Sequence, residues 1–164
     1  MFLTEDEFYD RAASSKDWYW KIRPQDRWVY MSKVIDLLKG MNAEATCEAG
    51  AWDMPLNSNS FLFDYPKMNL DVTPYPFTDK QFDCFIALQV FEHITKQSIA
   101  FTEIMRVSKN AILSFPYKWK CPGNVHHDID ETKISEWTNH IEPEVKILIP
   151  SEVGNERLIC MWNF

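Results

Sequence analysis

Glycine is scarce in this sequence, with 4 in 164 residues, so a nucleotide-binding turn built on two or three glycines is present only in reduced form if at all. Positive charge is also in deficit. Lys and Arg number 17 against 24 Asp and Glu, a formal charge of -7. That balance opposes a nucleic-acid backbone unless basic residues cluster locally, and a small or neutral substrate fits better. No CxxC pair occurs among Cys47, Cys84, Cys121 and Cys160. At least two of them fall in apolar runs, which favours buried thiols over a zinc site or a disulfide framework. Low-complexity tracts are missing, and no apolar stretch approaches the length of a membrane span. The N-terminus, "MFLTEDEFYD", has neither a basic leader nor an apolar run. The expectation is a soluble, cytoplasmic protein with no membrane partner and no signature that sets its oligomeric state.

What is present is a globular composition, 46% hydrophobic with 15% aromatic residues, at a length that suits one domain. "TEDEFYDRAASS" offers Thr4 as the cap of a short helix with acids in its first turn. Pro24 is placed to open a second helix, along which Trp28, Met31, Val34, Ile35 and Leu38 recur at helical spacing until Gly40, positioned for a left-handed cap. Beyond residue 43 the texture changes to short apolar runs: "EATCEAG", "SFLFD", "FDCFIAL", "NAILSFPY", "VKILIP" and "RLICMWNF". These read as strands. The segment carrying Phe101, Ile104 and Met105 reads as a helix, and so does roughly Glu131 to His140 with Asp128 or Asp130 as cap. "PSEVGNE" fits a hairpin, so the last pair of strands is predicted antiparallel. Alternating strands and helices predict an α/β fold: a single doubly wound, mostly parallel sheet, with a helical N-terminal cap over 1–40 and an α/β core over 43–164. In such sheets ligands bind beyond the carboxyl ends of the strands.

Three pieces in order, "CEAGAWD", "NLDVTPYPFTDKQFDCFIALQVFEHI" and "AFTEIMRVSKNAILSFPY", resemble the class I S-adenosylmethionine-dependent methyltransferases, in particular the small type 11 group. The resemblance runs from about Ala43 to Tyr117, and its middle piece is the most specific. It implies a methyltransferase-like Rossmann sheet, S-adenosyl-L-methionine as cofactor and direct methyl displacement onto an unidentified, small-molecule acceptor. Position by position, it implies that Glu48 is the acid ending the first strand and Gly50 the first glycine, with Ala51 and Trp52 in the same loop. Asp64 corresponds to the acid that meets the ribose hydroxyls, Asp71 and Val72 to the pair lining the adenine, and Gln89 and Val90 to the positions flanking the sulfonium end.

The departures carry equal weight. Trp52 and Met54 stand where the family has its second and third glycines, and Asp64 follows Glu48 by only 16 positions. "DMPLNSNS" is too short and too rich in Asn and Ser for a full crossover helix, so that helix is predicted reduced or lost. Such a chain has a reshaped cofactor pocket, closed by the aromatic N-terminal segment, or is a non-catalytic methyltransferase-like binding domain. A third reading, metal-dependent RNA methylation, rests on Glu92 and His93 but loses a charged oxygen ligand at Gln89, so no metal is assigned. In "CPGNVHHDIDE", His126 or His127 can take a proton from the acceptor during transfer. The same stretch also reads as a helix cap, with the histidines packed on the first turn.

Overall fold

In the computed structural model, which describes residues 1–121 and 123–164, the first forty residues form α1 (Glu5–Ser14), α2 (Trp18–Lys21) and α3 (Pro24–Gly40). Thr4 caps α1 as its position dictates: its hydroxyl accepts the Glu7 amide, and the Glu7 carboxylate returns to the Thr4 amide at 3.0 Å. Two orphan donors of the first turn are thereby satisfied. Pro24 is the first residue of α3, where its missing N–H leaves no bond unmade. The end of α3 corrects one expectation. The left-handed residue is Asn42, at φ 51°, not Gly40, because the chain turns two residues later, where the Ala43 amide reaches the Leu38 carbonyl at 3.1 Å. Asparagine is among the few residues that enter this region routinely.

Six strands follow: β1 (Thr46–Ala49), β2 (Phe61–Phe63), β3 (Phe82–Leu88), β4 (Ser108–Pro116), β5 (Val145–Ile149) and β6 (Arg157–Asn163), with helices α4 (Gln97–Val107) and α5 (Glu131–Trp137) between them. They form one sheet in the order β2-β1-β3-β4-β6-β5. The pairs among the first four are parallel, whereas β6 lies antiparallel between β4 and β5. Side chains along β3 alternate between the two faces, as the pleat requires. Phe85 and Ala87 join α4, α5 and Trp162 in one apolar layer, while Cys84 and Ile86 join Phe8, Trp20, Val34 and Leu38 of the N-terminal helices in the other. Residues 1–40 are therefore the second covering layer of the sheet.

The crossover from β1 to β2 is made by residues 50–60, which contain turns and an isolated bridge but no helix. The N-terminus compensates for the missing element. Phe2 pairs antiparallel with Asn57, and the Leu3 amide donates to the Leu56 carbonyl at 2.8 Å. Residues 64–81 also lack helix and strand. They are pinned by α4, whose Glu103 accepts the Tyr75 amide at 2.8 Å and whose Arg106 donates to the Tyr75 and Phe77 carbonyls.

Candidate active site

The strand order reverses between β1 and β3, which places a crevice at their carboxyl ends, where open α/β sheets bind ligands. Both strands leave it through left-handed residues, Gly50 at φ 73° and Gln89 at φ 58°. A Cβ on Gly50 would lie 2.6 Å from Cγ2 of Val90, so glycine is what lets the two strand exits approach. Gln89 is held by its neighbour strand: its amide donates to the Ser114 carbonyl, and its Nε2 donates to the Ser114 hydroxyl, both at 3.0 Å.

Around this crevice lies a cavity of about 940 Å³, within the range of small-molecule and cofactor sites. It is lined by the exits of β1 and β3, by Met68–Asp71, and by an aromatic wall of Trp18, Tyr19, Trp20 and Tyr30. The aromatic N-terminal segment thus closes the side that the lost crossover helix leaves open. Cation-π contact orders it, with the Arg27 guanidinium 3.8 Å from the centre of the Tyr19 ring.

The structure brings Glu48, Gly50, Ala51, Trp52, Asp71, Gln89 and Val90 to this cavity. Their roles differ from one another. Glu48 is 3% exposed, and its carboxylate accepts the Leu56 amide at 2.8 Å, the Asn57 amide at 2.9 Å and the Ser60 hydroxyl. It braces the loop that replaces the helix, and burial raises its pKa despite those donors. Asp71 accepts the Thr95 and Lys96 amides, the nearer contacts being 2.9 and 2.8 Å, and so fixes the turn that leads into α4. Trp52 is 60% exposed, so its ring borders the cavity without filling it.

Four expected residues are not on the lining. The Asp64 carboxylate accepts the Trp52 amide at 3.1 Å, tying β2 to the loop after β1. Val72 is 64% exposed on the outer surface. His126 is drawn away because its amide donates to the Glu92 carbonyl at 3.0 Å and its ring packs edge-on against Trp137, 5.1 Å between centres. His127 points outward to Asp128, 3.1 Å away. Packing and local pairing thus hold both rings, expected from sequence to take the acceptor's proton, off the lining of this cavity.

In their place the cavity holds Glu92 and His93, on the 3-10 turn Phe91–His93, and Arg157 at the start of β6. Glu92 is 2% exposed, its Oε2 has no partner among the described residues, and burial pushes its pKa up to about 8. His93 is lowered by partial burial, which keeps the imidazole neutral near pH 7. From sequence, Glu92 and His93 read either as metal ligands or as a helix-start pair held by backbone contacts. Arg157 carried no signal at all, because its importance comes from the antiparallel pairing that brings it opposite Pro116.

A reversed strand order, a crevice at the reversal and an antiparallel penultimate strand in the sheet define a Rossmann-like, S-adenosylmethionine-binding methyltransferase fold. The family profile described as "Methyltransferase domain" matches residues 26–112, just over half of the chain, and the chain belongs to that family. Solved structures agree on the fold. The chain is similar to the magnesium protoporphyrin IX methyltransferase from Synechocystis PCC 6803 with bound S-adenosylhomocysteine, at 12% identity and a TM-score of 0.63, covering 95% of this chain and 92% of that one. It is also similar to the N-methyltransferase NodS from Bradyrhizobium japonicum WM9 in complex with S-adenosylhomocysteine, at 10% identity and a TM-score of 0.64, covering 96% of each. No curated protein sequence matches the chain. Among the described residues no helix is long and apolar enough to cross a membrane.

Proposed function

We propose that the chain transfers a methyl group from S-adenosylmethionine to a small molecule held in the crevice cavity. The observation that carries this reading is the coincidence of the cavity with the strand-order reversal, at two strand exits that Gly50 lets approach each other. The residues present fit the cofactor: Gly50 to Trp52, Asn69 to Asp71, and Gln89 with Val90, all on the lining, would hold it. Bound there, S-adenosylmethionine supplies an electrophilic methyl group on a sulfonium sulfur. The protein's part is alignment, since direct displacement depends on the approach of the nucleophile more than on covalent catalysis. The aromatic wall keeps water from the reacting face, and neutral His93 is the group on the lining suited to accept the acceptor's proton.

Titration of the protein with S-adenosylhomocysteine tests this. Micromolar binding supports the reading, and no binding at millimolar ligand sinks it. The latter result would favour a non-catalytic binding domain. A specific observation motivates that second reading: Glu48 and Asp64, both expected to meet the cofactor, bond the protein's own backbone.

A further inference from the structure

We propose that the end of the cavity between the exit of β3 and the start of β6 binds a small carboxylate, with Arg157 as the residue that holds it. This rests on the methyltransferase reading in one respect, that the carboxylate belongs to the methyl acceptor.

Arg157 is 5% exposed, and its guanidinium lies near two aromatic rings, 4.8 Å from the centre of Tyr30 and 5.0 Å from that of Trp119. The rings fix the planar ion in place but do not neutralise it. Its side-chain hydrogen bond is long, Nη1 to the Asn155 carbonyl at 3.5 Å, and the buried Nε has no partner among the described residues. Among the described residues no carboxylate lies within 4.0 Å of it. A buried cation without a counter-charge is costly, and proteins pair such groups. The nearby carboxyl that faces the same cavity is Glu92, whose Oε2 is likewise unpartnered. Burial raises the Glu92 pKa to about 8 even though the Arg157 charge lowers it, so near neutral pH the acid is mostly an O–H donor rather than a counter-charge.

One fixed cation beside one neutral acid complements a single anionic group. A guanidinium is a planar fork that matches the two oxygens of a carboxylate. Tyr30, Trp119 and Ile94 on the lining suit an apolar or aromatic body attached to it. Position argues for the acceptor as the source. Two strand steps, β3 to β4 to β6, separate Arg157 from the cofactor crevice, about 10 Å at the usual strand spacing. The alternative source of the same chemistry is the cofactor's own methionine carboxylate.

The experiment begins with S-adenosylhomocysteine and 5′-methylthioadenosine, which lacks the carboxylate, titrated into wild type and Arg157→Gln. Benzoate, phenylacetate and indole-3-acetate, each beside its primary amide, are then titrated into the S-adenosylhomocysteine-saturated wild type and the variant. The expected result is unchanged S-adenosylhomocysteine affinity in the variant. At least one carboxylate should bind the wild type about 10- to 100-fold tighter than its amide, the range of a charge-assisted hydrogen bond, and Arg157→Gln should erase the difference. Carboxylates that bind no better than their amides overturn the proposal, and that comparison needs no variant. A variant that weakens S-adenosylhomocysteine but not 5′-methylthioadenosine also overturns it, assigning Arg157 to the cofactor. If the wild type binds no S-adenosylhomocysteine, the methyltransferase reading fails first and the acceptor assignment falls with it.

Discussion

Gly50→Ala separates two costs that the structure places on one residue. Gly50 is at φ 73°, where an L side chain costs about 1–2 kcal/mol, and its new Cβ would stand 2.6 Å from Cγ2 of Val90. Valine is branched at Cβ and stiff at χ1, so that methyl group does not swing aside cheaply, and overpacking of this kind costs about 1–3 kcal/mol. Together the substitution should destabilise the protein by about 2–5 kcal/mol. Urea unfolding followed by circular dichroism measures it. Adding Val90→Ala should return the packing share and leave the backbone share. Gly154 is the control, because it is also left-handed, at φ 72°, but a Cβ added there would meet nothing within 4 Å, so Gly154→Ala should show the backbone cost alone. If Gly50→Ala costs no more than Gly154→Ala, or if the double variant recovers nothing, the claim that Gly50 exists to let the strand exits approach is wrong.

Three further outcomes are expected. Glu92 holds its proton up to about pH 8 in the folded protein against a reference of 4.5. Unfolding between those values releases a proton, so stability should fall as pH rises through this window and level off above it. At 1.36 kcal/mol per unit the total is on the order of 5 kcal/mol. Arg157 and His93 also face this cavity, so Glu92→Gln is the comparison: denaturation at pH 5 and pH 8.5 should show a clearly smaller difference in the variant, and equal differences would refute the assignment. Trp52→Ala should leave stability within about 0.5 kcal/mol, as at most exposed positions, while weakening S-adenosylhomocysteine about 2- to 10-fold through loss of an aromatic contact. Tighter binding would mean that the ring obstructs the site. Cys47, Cys84 and Cys160 are buried, with the Cys160 thiol pushed up to about 12, whereas Cys121 is partly exposed on the cavity. A native thiol titration at pH 8 should therefore count one reactive cysteine, and a count of three or four would contradict the burial.

The strands and their order of appearance were readable in the sequence because each is a short apolar run bounded by polar turns, whereas β1 pairs parallel with β2 and β3 across connections that contain no helix. Thr4, Pro24 and Asp130 marked helix starts for local reasons that tertiary contacts did not override. Gly40 misled because a left-handed cap is set by where the chain turns, which here is at Asn42. The candidate site divides along the same line. Residues next in sequence to a strand exit, such as Gly50, Gln89 and Val90, were found on the cavity because strand ends place them there. His126 and His127 were expected from their position after β4, yet His126 is set by Glu92 and Trp137, which are remote from it in sequence, and His127 turns outward to its neighbour Asp128. Arg157 depends on three remote partners, Tyr30, Trp119 and Pro116, and no local pattern encodes that convergence.

One shortening links these observations. Without a crossover helix after β1, the loop at 50–60 has backbone donors that need acceptors in a buried setting, and Glu48 is the side chain close enough to supply them. The same loop leaves a sheet-edge segment at 56–58 that the N-terminal residues pair, and that pairing anchors α1 and α2 beside the crevice. The aromatic wall of the cavity is thus a consequence of the missing helix. Tyr30, on the helix that follows, reaches Arg157 from that wall. The acid that the family resemblance assigns to the cofactor is engaged in closing the fold, while Glu92 and Arg157, each with a buried polar atom unpartnered among the described residues, as Asp64 also has, lie at the end of the cavity proposed for the acceptor. Specificity in this chain is therefore to be sought between β3 and β6 rather than in the loop after β1.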